Sequence, residues 1–113
     1  MNFPSCTSIG SYAFNACSQL TTISFPACTI IGLYAFSNCT SLSSAYFLGS
    51  SIPTLSHINA FNKTPISTAI NGITGSIYVP ASLYSNYRTA NNWSAYASRI
   101  VSLTAEEIAA LNT

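Results

Sequence analysis

Residues 3–24 read FPSCTSIGSYAFNACSQLTTIS, and residues 25–46 read FPACTIIGLYAFSNCTSLSSAY. Of the 22 aligned positions, 11 are identical: Phe, Pro, Cys, Thr, Ile, Gly, Tyr, Ala, Phe, Cys and Leu, in that order. A third unit begins on the same beat at Phe47 and then drifts, because Ala60-Phe61-Asn62 follows Ala35-Phe36-Ser37 at an offset of 25. A period near 22 is too short for a helix pair with its turns and falls in the range of strand-bearing stacked repeats. Within each unit, residues 20–25 have the β-branched and aromatic make-up of a strand, which Pro26 ends for want of an N–H. Gly10 and Gly32 mark a tight turn or a close backbone approach. Tyr34-Ala35-Phe36, Cys39 and Leu42 space apolar groups three to four apart, which predicts one short helical or 3₁₀ turn packed inward. The expected architecture is an α/β-type solenoid: strand plus short helical turn per unit, each unit burying its apolar face on its neighbours. The units are 3–24, 25–46 and an irregular 47–65, with 66–113 as last strand and helical C-terminal cap.

The predicted core is Ile9, Ala13, Phe14, Cys17 and Leu20 from the first unit, Ile31, Ala35, Phe36, Cys39 and Leu42 from the second, and Trp93 from the cap. No polar N-terminal cap precedes the first unit, although terminal repeats normally need one. The expectation is that further repeats precede it in a longer chain, or that a partner or a second copy covers it.

Past Thr64 the repeat decays. Asn71-Gly72 and Thr74-Gly75 are turn formers, and 76–79 reads as the last strand. Pro80 suits a first helical position. A helix over 81–90 would align Leu83, Tyr84, Tyr87 and Ala90. Asn92 is the expected cap of a second helix from Trp93, carrying Tyr96, Ala97 and Ile100, and 100–103 is extended. Thr104 and Glu107 form a capping box, with Glu106 and Glu107 at the electropositive end of a last helix. Trp93 is read as part of the cap, with a ligand-stacking platform as the alternative.

The units IGSYAFNACSQLTTISFP and IGLYAFSNCTSLSSAYFL resemble the BspA-like (Treponema pallidum type) leucine-rich repeat, Ile-Gly-x-x-Ala-Phe-x-x-Cys-x-x-Leu-x-x-Ile-x-x-Pro. The pattern falls on Ile9, Gly10, Ala13, Phe14, Cys17, Leu20, Ile23 and Pro26, and again on Ile31, Gly32, Ala35, Phe36, Cys39 and Leu42. In the second unit Ala45 takes the Ile place and Leu48 the Pro place; in the third, Thr64 stands where the cysteine would be. Residues 75–103 look like the C-terminal capping module that follows such repeats in surface proteins of gut bacteria. The resemblance implies a bacterial cell-surface or secreted protein that adheres to a host or neighbouring-cell protein or glycan, with no characteristic enzymatic activity.

Charge narrows the partners independently. The chain has 113 residues, a mass of 12.0 kDa, and five fully charged side chains, Lys63, Arg88, Arg99, Glu106 and Glu107, none of them within 3–46. Three scattered cations cannot supply nucleic-acid binding. No apolar run approaches the ~20 residues of a membrane span, so no membrane insertion is expected, and no secretory leader is evident in what is shown. Cys6, Cys17, Cys28 and Cys39 recur every 11 residues, but the period makes them two positions seen twice. They are read as buried free thiols, with a disulfide within a column or a metal site as the lesser alternatives; Cys17 and Cys39 are the expected core pair. The single histidine, His57, lies in the irregular third unit, and Asp is absent. Nucleophilic, paired-carboxylate, calcium and nucleotide chemistry therefore all lack their residues, and no catalytic, metal or cofactor-binding residue is assigned. Asn38, Asn62 and Asn92 match the glycosylation acceptor pattern, as chance allows in a chain with 31 Ser and Thr. What remains is a neutral outward strip, Thr21, Ser24, Ser43, Ser44 and Tyr46, aligned with Ile77 and Tyr78 or their neighbours, able to hydrogen-bond a protein or glycan. A purely structural scaffold is the alternative, and a hydrolase is disfavoured.

Overall fold

The computed structural model describes residue 3 and residues 5–111; the repeat proline Pro4 and the last two residues of the expected cap lie outside the described residues. Each repeat contributes two short strands, where the sequence suggested one. The first unit gives β1 (Ser8–Ile9) and β2 (Thr22–Ser24) and the second β3 (Ile30–Ile31) and β4 (Ser44–Tyr46); the irregular third gives β5 (Thr54–Leu55), and its second strand, β6 (Ser76–Pro80), lies beyond residue 65. A seventh strand, β7 (Ile100–Leu103), comes from the C-terminal segment. They form two parallel sheets, β1-β3-β5 and β2-β4-β6-β7. Register follows the repeat: Ser8 faces Ile30 and Thr22 faces Ser44, both 22 residues on. The third unit stretches this to 24 between β3 and β5 and to 32 between β4 and β6. Ile77 then faces Ile100 at 23, so the C-terminal segment adds one more rung, and β6 is not the last strand.

Equal residues at equal register stack into columns. Phe3, Phe25 and Phe47 form one, with ring centroids 4.9 and 6.0 Å apart; Phe14, Phe36 and Phe61 form another, at 5.2 and 5.3 Å with planes within 8°. Ile9, Ile31 and Leu55 align in register, as do Ile23, Ala45, Ile77 and Ile100, all buried. Offset-stacked rings add about 0.5–1.5 kcal/mol per pair beyond their buried area.

The expected helical turn is present as a 3₁₀ helix only in the third unit, at Ile58–Phe61. In the first two units the same stretch is a run of hydrogen-bonded turns with Tyr12, Ala16, Tyr34 and Asn38 in the left-handed region (φ 54–62°). The reason lies in the ladder. Tyr12, Phe14 and Ala16 donate their N–H groups to Leu33, Ala35 and Ser37 of the next unit at 2.7–2.9 Å. Phe36 and Asn38 donate to Ala60 and Asn62. A regular helix would turn these N–H groups inward on its own carbonyls, so the turns keep the backbone pairing with the neighbouring unit.

The columns have an open first rung. Leu20, Ile31, Ala35, Phe36, Cys39 and Leu42 are buried, but Ala13 and Cys17 are exposed and Phe14 is half-buried, which corrects the core read from sequence. Ala35 and Cys39 owe their burial to the unit stacked upstream of them. No described residue performs that service for Ala13 and Cys17.

The C-terminal segment covers the opposite end. It runs through a 3₁₀ turn (Ala81–Leu83), α1 (Tyr84–Thr89), a second 3₁₀ stretch (Trp93–Arg99), β7 and α2 (Ala105–Leu111). The single helix expected over 81–90 is thus split. Trp93 meets Phe47 edge-on at 5.4 Å and Tyr87 at 5.1 Å, and Tyr96 meets Phe61 at 5.4 Å. Trp93 also donates Nε1–H to the Pro53 carbonyl at 2.8 Å. Asn92 does not cap with its side chain; at φ 68° it donates Nδ2–H to Leu55 O at 2.7 Å, tying the segment to β5. The capping box is formed: Thr104 N–H reaches Glu107 Oε1 at 3.0 Å, and Glu107 N–H reaches Thr104 Oγ1 at 3.1 Å. Thr64, in the cysteine place of the third unit, is buried and donates its hydroxyl to Phe61 O at 2.7 Å.

One buried side-chain polar atom has no partner among the described residues, the Tyr87 hydroxyl. Burial holds that phenol far above its usual range, with the nearby Cys28 thiol adding to the effect. An orphaned hydroxyl costs about 1–3 kcal/mol. Tyr87→Phe is therefore expected to stabilise the fold by about 1 kcal/mol, raising the thermal midpoint by roughly 4 °C. A fall in the calorimetric midpoint would mean that the hydroxyl is satisfied in solution.

Candidate functional site

Period-two alternation in β2, β4 and β6 sends Ile23, Ala45 and Ile77 into the core and their neighbours outward. Register aligns those neighbours in two rows, Thr22–Ser44–Ser76 and Ser24–Tyr46–Tyr78–Val101. The centre of the face is the Tyr46–Tyr78 pair, stacked at 4.6 Å with planes 14° apart, both rings half-buried. Burial, and then Tyr78 beside it, raises the Tyr46 phenol above its ordinary 10.0, so it is a neutral donor at physiological pH. The strip expected from sequence is thus divided. Ser24, Ser44, Tyr46 and Tyr78 share this face, whereas Thr21 and Ser43 sit just before the strands, where Thr21 O accepts Ser43 N–H at 2.9 Å. Ile77 is wholly buried and does not belong to the face. Thr22 and Ser76 do belong and were missed; counting in twos from the buried Ile23 would have found them.

The chemistry-bearing side chains elsewhere are dispersed. His57 is exposed, and its Nδ1 accepts the Asn59 N–H at 3.2 Å at the start of the Ile58–Phe61 turn. Among the described residues no group of three or more His, Cys, Asp or Glu side chains gathers to hold a metal ion. No helix among them is long and apolar enough to cross a membrane.

All four cysteines are free thiols. Cys28 and Cys39 are buried, Cys6 is intermediate and Cys17 exposed, so the expected core pair of Cys17 and Cys39 is split by the open first rung. Burial pushes the Cys28 and Cys39 thiols from 9.0 to about 11. Only about a thousandth of each is then thiolate at pH 8. In the folded protein a thiol reagent is expected to label Cys17 first, Cys6 more slowly, and Cys28 and Cys39 only on unfolding, as mass spectrometry of timed aliquots would read. Because these thiols stay protonated in the fold above the unfolded value of 9.0, their contribution is intact below pH 9 and is lost between pH 9 and about 11.

A family model described as "BspA type Leucine rich repeat region (6 copies)" matches residues 1–91. No curated protein and no solved structure matches the chain. With the in-register rungs and the phenylalanine columns, that match over most of its length settles the family: the chain belongs to the BspA-type leucine-rich repeats.

Proposed function

We propose that the chain is a non-catalytic binding domain of a bacterial cell-surface or secreted protein, a short solenoid of repeats over 3–65 closed at its C-terminal end by residues 66–113. Its outward sheet face engages a host or neighbouring-cell protein or glycan. The carrying observation is the Tyr46–Tyr78 stack, half-exposed on a face whose backbone is fixed by the parallel ladder and flanked by hydroxyls. Tyrosine offers a large apolar area and one polar tip at low entropic cost, which suits a neutral interface. The test is biolayer interferometry of the chain against purified extracellular-matrix proteins and arrayed glycans. A ligand whose affinity falls at least ~tenfold with Tyr46→Ser/Tyr78→Ser supports the reading; binding indifferent to that change removes its basis.

A second reading is a purely structural segment. It is favoured by the open first rung, where Phe14, Cys17 and Leu20 line a cavity of about 620 Å3. Upstream repeats of a longer chain, or a second copy, would seat there. Sedimentation of the chain tests the second-copy version by its mass.

A further inference from the structure

The two tyrosines of the turn face form their own column. Tyr34 stacks on Tyr12 at 5.1 Å with planes 17° apart. The offset of 25 that carries Ala35 onto Ala60 carries Tyr34 onto Asn59, so the third place in this column holds a short carboxamide. Backbone pairing registers the change. Tyr12 N–H donates to the Leu33 carbonyl, but Tyr34 N–H donates to the Asn59 side-chain oxygen at 3.3 Å, and the Ile58 carbonyl takes the Tyr96 hydroxyl instead. Among the described residues Tyr34 has no ring neighbour other than Tyr12. Where a third ring would stack there is a groove of about 430 Å3, lined by Tyr34, His57, Asn59, Asn62, Ser67 and Tyr96 with Ile58 and Ala95.

We propose that this groove binds a neutral glycan, one pyranose ring lying on Tyr34. A pyranose presents a face of C–H groups that packs on an aromatic ring, and its rim carries vicinal hydroxyls, each both donor and acceptor. The groove matches both features. Tyr34 is held from behind by Tyr12 and by its own N–H bond, so the platform is preorganised. The rim carries carboxamides and an imidazole. Asn59 Oδ1 is taken by Tyr34, leaving its Nδ2–H₂ to donate, and His57 Nδ1 is taken by Asn59 N–H, leaving Nε2 at the surface. The Asn62 carboxamide offers donor and acceptor together, the complement of a vicinal diol. No carboxylate, lysine or arginine lines the groove, which disfavours anionic sugars and charged peptides. The volume lies in the range of small-ligand sites.

This inference rests on the reading of the chain as a binding domain but uses a different face, so the two fail separately. The test is saturation-transfer NMR of the full chain with lactose, cellobiose and chitobiose as neutral probes, sialyllactose as the anionic one and a short tryptophan-bearing peptide as the aromatic one. A neutral sugar is expected to bind. Tyr34→Ala should weaken it at least ~tenfold and Asn62→Ala, at an exposed position, by about threefold. Circular dichroism confirms that each variant is folded, and Asn62→Ala serves alone if Tyr34→Ala is not. Binding of the peptide or of sialyllactose only, binding that survives the groove variants, or no neutral sugar bound overturns the inference. If sugars fail while a matrix protein still binds through Tyr46 and Tyr78, the groove is wrong and the binding-domain reading stands; if both fail, both are wrong.

Discussion

Gly32→Ala is expected to remove a large share of the chain's stability, and Gly10→Ala to leave it within about 0.5 kcal/mol of wild type. Both glycines occupy the same place in the repeat, so sequence alone gives no ground for separating them. Geometry does. A Cβ at Gly32 would stand 2.5 Å from Ser11 N and 2.7 Å from the Gly10 carbonyl carbon, backbone atoms of the preceding unit that cannot swing aside. A Cβ at Gly10 meets nothing within 4 Å, because no described unit lies upstream. The first substitution must pry two rungs apart and break ladder bonds such as Gly32 N–H to Ile9 O at 2.8 Å, at a cost of about 3 kcal/mol. Set against a typical total of about 5–15 kcal/mol, that is a large share. The second falls within about 0.5 kcal/mol of neutral and can gain slightly by stiffening the unfolded chain. Urea melts followed by circular dichroism measure both. A comparable loss at Gly10 would show that its face is covered in solution by a second copy.

Trp93→Ala is the other large effect. The indole is 1% exposed and joins the two phenylalanine columns to the C-terminal segment. Its removal opens a cavity against Phe47, Phe61 and Tyr87 and strips the Pro53 carbonyl of its donor. Large-to-small changes of this kind cost about 3–5 kcal/mol. Loss of the urea midpoint by several tenths of its wild-type value, with Tyr96 and Tyr87 becoming accessible, is expected. A variant as stable as wild type would deny Trp93 the role of end cover and reopen the ligand-platform alternative.

The period, the stacked columns and the terminal capping box were legible because each is a matter of spacing. Identical residues at a fixed offset fall in register, and Thr104-x-x-Glu107 carries its own geometry. Features that depend on the neighbour were not legible. Ala13 and Cys17 read like Ala35 and Cys39, but burial requires a unit on both sides. Two-residue strands such as β1 and β3 are too short to show alternation. The left-handed Tyr12 and Tyr34 give no sign, since tyrosine has no preference for that region and the ladder imposes it. Residues 100–103 read as extended, but their pairing with β6 gave no sign, because the segment between Pro80 and Ile100 does not carry the repeat's motif. At the candidate face, Ser24, Tyr46 and Tyr78 were found from register, whereas Thr21 and Ser43 fell one residue short of the outward row.

The central claim is that a neutral, ladder-fixed tyrosine face does the binding. It is tested most directly by measuring the affinity of the chain for its best matrix or glycan ligand at about 0.05 and 0.5 M NaCl, beside Tyr46→Ser/Tyr78→Ser. The account predicts a change of less than about twofold with salt and loss of at least ~tenfold in the variant. Affinity that falls steeply with salt, or that the variant retains, contradicts it.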